Sequence, residues 1–247
     1  MESYYLTDTG RVREHNEDSV TILKNVNGEY LLAVADGMGG HKAGEVASAI
    51  TINHLTENFN KLESFNDKAS AVNWIRKEAE EINNEIFEYT AAHPVSKGMG
   101  STLVLAIYTK DYLLFGNIGD SSGFVIKKNE LFKITHDHTL VNLLVKNGEL
   151  TPEEAKNHPK KNILMRALGA NNPIEIDIFD VENNVDMVLL SSDGLTSMLN
   201  NTQIERVLLA ENATLEEKVI KLIKKSNVRG GTDNISIACL STKEGEE

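Results

Sequence analysis

Four aspartates, Asp36, Asp120, Asp193 and Asp233, stand where chemistry is most easily built. Asp36 ends the apolar run 31–35 and is followed by Gly37-Met38-Gly39-Gly40. Asp120 follows the run 112–118, Asp193 follows the run 181–191, and Asp233 immediately precedes the run 235–240. One aspartate at a strand end is ordinarily a turn residue. Four of them, on adjoining strand ends, would meet within a few ångströms, where mutual repulsion raises pKa values or costs stability unless divalent cations lie between them. A donor set made only of oxygens selects Mg²⁺ or Mn²⁺, whereas zinc favours His and Cys. The polar string 11–19 adds the pair Glu17-Asp18 and, ahead of it, Arg13. Its guanidinium can grip a phosphate through two parallel hydrogen bonds. Read without that function, the same string is a solvated charged loop.

Other chemistries fit less well. Gly119-Asp120-Ser121-Ser122-Gly123 has the glycine spacing of a nucleophilic-serine elbow, but an elbow turns from strand into helix and Phe124-Val125-Ile126 continues as strand. A cysteine phosphatase needs a thiolate loop followed by arginine; Cys239 has no arginine after it and sits in an apolar run as an inert buried thiol. His136-Asp137-His138 offers alternate imidazoles, a pattern more often capping or solvated than ligating. The glycines after Asp36 lack the Lys-Ser or Lys-Thr of a P-loop and miss the dinucleotide spacing.

Strands must deliver these aspartates. Tyr4 and Leu6 mark a short strand ending in the turn Thr7-Asp8-Thr9-Gly10, and the runs 20–23 and 30–35 pair through Asn25-Val26-Asn27-Gly28. Helical spacing appears over 45–59, with Glu45 near the positive end of the helix dipole. A longer stripe of Val72, Ile75, Ala79, Ile82, Ile86 and Tyr89 predicts an amphipathic helix ended by His93-Pro94. The apolar runs 102–108, 112–118, 123–127 and 131–134, joined by short turns, imply an antiparallel meander. Two short helices are expected in the polar insert 136–169, where Thr151-Pro152-Glu153-Glu154 reads as a capping box and Gly148 as a helix stop. The run 181–191 reads as strand, and amphipathic helices are expected around 202–209 and 215–225 before the last strand, 235–240.

Bulk properties bound the partners. A chain of 247 residues can bury about 70% of its unfolded surface in one domain. Residues 1–242 are expected to form that domain, with a mobile flap at about 137–168 and a tail at 243–247. A net charge of −12 disfavours nucleic acid, and no segment reads as membrane span or signal peptide. A single cysteine excludes an internal disulfide, so the cytoplasm is the default location. Monomer is the simplest expectation.

Taken in order, Thr7-Asp8-Thr9-Gly10, Arg13, Asn16-Glu17-Asp18, Asp36-Gly37-Met38-Gly39-Gly40-His41, Gly98-Met99-Gly100-Ser101-Thr102, Gly119-Asp120-Ser121, Asp137-His138-Thr139, Ser192-Asp193-Gly194-Leu195 and Asp233-Asn234 span nearly the whole chain. They resemble the motifs of the metal-dependent protein serine/threonine phosphatases of the 2C type, in their single-domain bacterial branch. The resemblance implies an α+β fold, a four-layer α-β-β-α sandwich of two mainly antiparallel sheets flanked by helix pairs, with the metals at one end.

It also implies roles. Asp36 would bridge two Mn²⁺ or Mg²⁺ ions, Gly37 would offer its carbonyl, and Asp193 and Asp233 would complete the pair. Glu17 and Asp18 would act through metal-bound waters, Asp120 with Asp193 would hold a third and weaker ion, and Arg13 would clamp the substrate phosphate. The implied reaction is hydrolysis of phosphoserine and phosphothreonine by direct attack of a metal-activated water, reversing a cognate bacterial Ser/Thr kinase on phosphorylated proteins. Two positions depart from the pattern: Met38 where animal members carry a histidine, and Ser122 where arginine is usual. Ser122 is expected to alter packing or substrate contacts without removing a ligand, and His41 stands beside the proposed metals. An inactive phosphoprotein-binding regulator of the same fold would require a missing ligand, and none is missing. A metal-dependent nuclease could use similar carboxylates, but the acidic balance argues against it.

Overall fold

The computed structural model describes residues 1–40 and 43–243; His41 and the tail residues 244–247 lie outside it. One sheet has the order β1 (Glu2–Asp8), β11 (Ile235–Ser241), β10 (Met187–Ser191), β7 (Ser122–Lys127), β8 (Glu130–Lys133). The other has the order β2 (Asp18–Lys24), β3 (Tyr30–Met38), β5 (Leu103–Tyr108), β6 (Leu113–Ile118), β9 (Asp177–Val181), with β4 (Gly100–Ser101) paired to the end of β3. All these pairings are antiparallel.

Three apolar layers hold the sheets. Between them lie Leu32, Val34, Val104, Phe115, Val125, Val188 and Leu190. On the outer face of the second sheet, Leu31, Ala33, Leu103 and Leu105 pack against α1 (Ala43–Lys61) and α2 (Lys68–Ala92). On the outer face of the first, Phe124, Leu189 and Ile237 pack against α6 (Asn201–Leu208) and α7 (Leu215–Val228). Strands β3 and β5 are therefore covered on both faces, which is why their sequences are continuous apolar runs rather than alternating ones. Each such leucine or isoleucine contributes about 1.5–3 kcal/mol through burial.

The predicted α2 stripe is the helix's inner face: Ile75, Ala79, Ile82 and Ile86 are buried, and Asp67 with Ser70 forms a capping box at its start. The insert carries α3 (Leu140–Lys146) and α4 (Pro152–Lys156), and Thr151 and Glu154 cap α4 reciprocally as their spacing predicts.

Three expectations are corrected. The runs 102–134 are not one meander: β5 and β6 form a hairpin in one sheet, β7 and β8 a hairpin in the other. The chain changes sheet at Gly119-Asp120-Ser121, where Gly119 has φ +99° and a Cβ would meet the Thr102 side chain at 2.6 Å. The run 181–191 likewise divides into β9, ending at Val181, and β10, starting at Met187 in the other sheet. Apolar content is alike in both sheets, so the pattern could not tell which sheet a strand joins. Asp193 also opens a helical turn, α5 (Asp193–Thr196), where only a strand end was expected.

Candidate metal centre

Each functional side chain is fixed by its own piece of the sandwich edge. Asp18 on β2 and Asp36 on β3 are direct cross-strand partners, so their side chains share a face. The Asp36 backbone is clamped on both sides: its N–H donates to Thr102 Oγ1 at 3.0 Å, and its carbonyl accepts from the Thr102 N–H at 2.9 Å and from Ser101 Oγ at 3.1 Å. Thr102 Oγ1 lies 2.8 Å from Ser121 Oγ, tying the Asp36 segment to the Asp120 turn. The Gly37 N–H donates to the Glu17 carbonyl at 3.0 Å. A Cβ at Gly37 would stand 2.0 Å from the Gly44 carbonyl in the first turn of α1, so no other residue fits.

The loop 9–17 is sewn to the start of β11 by Asn234. Its Oδ1 accepts the Glu17 N–H at 2.8 Å, and its Nδ2 donates to the Thr9 and His15 carbonyls at 2.9 Å. That brings Arg13 to Asp233, with Nη2 to Oδ2 at 2.7 Å. Ser192 Oγ donates to Asp18 Oδ2 at 2.7 Å and accepts the Ser236 N–H at 2.9 Å, locking Asp18 and the Asp193 turn together.

A cavity of about 440 Å³ opens at this end, lined by Arg13, Glu17, Asp36, Gly37, Asp120, Asp193 and Asp233. Asp18 is buried opposite Asp36 and does not line it. The rest of the wall comes from the insert, including Asn162, Met165, Arg166 and Ala167, and from Asn171 just after it.

The carboxylates are uncomfortable there. Burial, then the neighbouring Asp18 and Asp193, push Asp36 well above its ordinary range. Burial pushes Asp18 to about 7 against its serine hydrogen bonds, and burial with Asp193 and Asp137 pushes Asp120 to about 7. Asp193 rises to about 6 through burial and Asp233, and burial lifts Glu17 despite Arg13. Burial works against the Arg13 charge, but the pair with Asp233 outweighs it and the guanidinium stays charged.

These residues fit divalent cations. Asp18 Oδ1 and Asp193 Oδ1 are buried with no hydrogen-bond donor. Five carboxylates line the cavity against two arginines, and Arg166 is already paired with Asp177 at 2.7 Å. Among the described residues, the trio of ligating side chains whose atoms all lie within 4.8 Å of one another is elsewhere: His54, Glu78 and Glu81 on α1 and α2. None of the three lines the cavity.

Arg13, Glu17, Asp18, Asp36, Gly37, Asp120, Asp193 and Asp233 thus all converge on one end. Asn234, Ser192 and Thr102 stand within the motifs quoted above but carried no role there, because their polar types give no signal until the distant segments they join are known. Ser122 is fully buried opposite Ser191, on the face toward the outer helices, so it bears on packing and not on the cavity. Met38 does line the cavity. Ser121 is buried and bonded to Thr102, so it is no exposed nucleophile. His138 uses both ring nitrogens within the protein, with Gly119 and Asp177, and burial keeps its pKa low.

A family model for protein phosphatase 2C matches residues 9–225. Over 238 residues the chain is 41% identical to the serine/threonine phosphatase stp of Listeria welshimeri, covering 96% of this chain and 94% of that relative. Its fold is similar to the S. agalactiae serine/threonine phosphatase, with 37% identity and a TM-score of 0.92 over 98% of this chain and 99% of that one. It is also similar to the catalytic domain of the serine threonine protein phosphatase PstP in complex with 2 manganese ions, with 33% identity and a TM-score of 0.80 over 96% of each chain.

Proposed function

The chain belongs to the protein phosphatase 2C family, and we propose that it hydrolyses phosphoserine and phosphothreonine on proteins at the carboxylate-lined end of its sandwich. The observation that carries this reading is the set of buried carboxylate oxygens left without any protein donor beside a charged arginine. In this reading Asp36, the Gly37 carbonyl, Asp193 and Asp233 would hold two Mn²⁺ or Mg²⁺ ions, and Asp120 with Asp193 would hold a weaker third. Glu17 and Asp18 would support the pair through water. Bound divalent cations supply an acidified water and a positive field on the phosphoryl oxygens.

The chain's own residues do the rest. Arg13 spends Nη2 on Asp233 and keeps its other N–H groups for the phosphate oxygens, so the substrate is gripped next to the carboxylates. Asn234 and Thr102 keep the Arg13 loop and Asp36 in register, so no reorganisation is needed when substrate arrives. Neither Ser121 nor Cys239 is placed for covalent attack: Ser121 is buried, and burial pushes the Cys239 thiol up to about 12. Met38 has no proton to give, so the leaving alkoxide takes its proton from water in the open cavity.

We assign residues 1–242 to one catalytic domain in which the insert at about 137–168 is a flap over the cavity. The partners in this reading are phosphorylated proteins and the Ser/Thr kinase whose action is reversed, with the protein acting as a cytoplasmic monomer. The lone buried Cys239 suits a reducing compartment. No helix among the described residues is long and apolar enough to cross a membrane.

The test is phosphate release from a phosphothreonine peptide, titrated with Mn²⁺, for wild type beside Asp36→Ala. Metal-dependent turnover lost in the variant is expected. Binding of the phosphopeptide without turnover in wild type would favour the regulator reading instead.

A further inference from the structure

His138 sits at a junction that the proposed reaction leaves unexplained. It is one of the alternate imidazoles first weighed as metal ligands, and its side chain is only 11% exposed. Four hydrogen bonds radiate from this one residue. Its backbone N–H donates to the Gly119 carbonyl at 2.9 Å, and its ring Nδ1 accepts the Gly119 N–H at 3.1 Å. Its carbonyl accepts the Met165 N–H at 2.8 Å, and its ring Nε2 lies 3.1 Å from Asp177 Oδ2.

The ring's protonation follows from these partners. Because Nδ1 accepts an amide N–H, it carries no proton, and a neutral imidazole then bears its proton on Nε2. Nε2–H donates to Asp177. Arg166 Nη1 donates to the other oxygen of the same carboxylate at 2.7 Å and is 3.4 Å from Nε2, so two donors converge on Asp177. Neither ring nitrogen is left for a metal.

The two sides of the ring serve different parts of the site. Gly119 immediately precedes Asp120 at the point where the chain changes sheet, and its left-handed φ of +99° leaves it dependent on outside contacts to hold the turn. Met165 and Arg166 belong to the insert's wall of the cavity.

We propose that His138 is a positioning residue with two separable arms: Nδ1 sets the Gly119-Asp120 turn, and Nε2, through Asp177, holds Arg166 and the insert's wall over the substrate. The first arm rests on the reading of Asp120 as a cation ligand; the second does not.

Two substitutions cut one arm each. His138→Asn keeps an acceptor where Nδ1 stood and loses the reach to Asp177. His138→Gln keeps a donor where Nε2–H stood and loses the acceptor for Gly119. The metal-free proteins are titrated with Mn²⁺ alone by calorimetry, and steady-state kinetics are measured on a phosphothreonine peptide and on a small aryl phosphate. His138→Gln is expected to weaken the weakest Mn²⁺ step about tenfold, one hydrogen bond's worth, with little change in peptide KM. His138→Asn is expected to leave the Mn²⁺ isotherm near wild type and raise the peptide KM about tenfold, with kcat and aryl phosphate turnover little changed. Thermal melts of both variants report folding, and a merely structural histidine would lower both melts without splitting the other readouts.

The proposal is overturned if the two variants behave alike or if neither departs from wild type. Asp120→Asn separates the premises. If it leaves every Mn²⁺ step unchanged, the ligand reading of Asp120 fails and the cation arm with it. If it weakens a step and His138→Gln does not, the His138 proposal alone fails.

Discussion

Carboxylates are buried at two places in this molecule, and their surroundings treat them oppositely. On the helix pair, the Glu78 side chain is 2% exposed, yet it accepts from Asn58 Nδ2 at 2.6 Å and from His54 Nε2 at 3.0 Å. Burial alone would raise its pKa, but these donors and the nearby Lys77 outweigh it, and Glu78 ends below its ordinary value. At the open end of the sandwich, Asp18, Asp36, Asp120 and Asp193 are pushed up by burial and by each other. Burial is common to both regions; what differs is the supply of donors. Where the fold provides its own cations, a buried carboxylate is structural. Where it withholds them, the missing charge must come from outside, and stability has been given up for binding.

That contrast predicts opposite signs for matched substitutions. Asp36→Asn should reduce phosphopeptide turnover about 10³-fold or more, roughly 4 kcal/mol of transition-state stabilisation. In the same variant without metal, the melting temperature should rise, because one member of a repelling buried group is neutralised. A lower metal-free melt would break the comparison at its active-site end. Glu78→Gln should do the reverse: a loss of about 2–3 kcal/mol in stability, seen as a melt lower by about 4–12 °C, with turnover of the folded enzyme unchanged. Reduced turnover at full folding would show that the helix cluster is not merely structural.

Smaller effects sharpen the same picture. Arg13→Ala should lower kcat/KM about 100-fold, near 3 kcal/mol, through the loss of its charged hydrogen bonds to phosphate. Mn²⁺ binding should survive because Asp233 remains; an unchanged kcat/KM would remove Arg13 from the phosphate site. His54 offers a pH signature. Its hydrogen bond to Glu78, against burial, raises its pKa above the ordinary 6.5. The stability this contributes is fully present below 6.5 and is lost as pH rises through the folded value. The Glu78 contribution is present above 4.5 and lost as pH falls through its lowered folded value. Wild type should therefore exceed His54→Gln in melting temperature most between about pH 4.5 and 6.5, and the gap should narrow toward pH 9. A gap independent of pH would mean that the histidine acts through packing alone.

Much of the site was legible because its aspartates border apolar runs, and a run that meets aspartate is visible locally. Asp36, Asp120 and Asp193 were read as the ends of such runs, Asp233 as the residue just ahead of one, and α2 from its period. What was not legible depends on contacts between distant segments. Ser192 bonds to Asp18 across 174 positions, and Asn234 reaches Glu17 across 217. Nothing near either residue signals that partner. Sheet membership failed for the same reason: β6 and β7 follow one another with a short turn between, yet belong to different sheets, and only Gly119's conformation marks the crossing.

The most direct measurement is the melting temperature of the metal-free protein with and without saturating Mn²⁺. Ions bound only by the folded carboxylate cluster should contribute about 2.7 kcal/mol at 100 times their dissociation constant, a rise of about 5–10 °C. That rise should vanish in Asp36→Asn and persist in Glu78→Gln. An unchanged wild-type melt at saturating Mn²⁺ would contradict the assignment of the donor-starved carboxylates to cation binding.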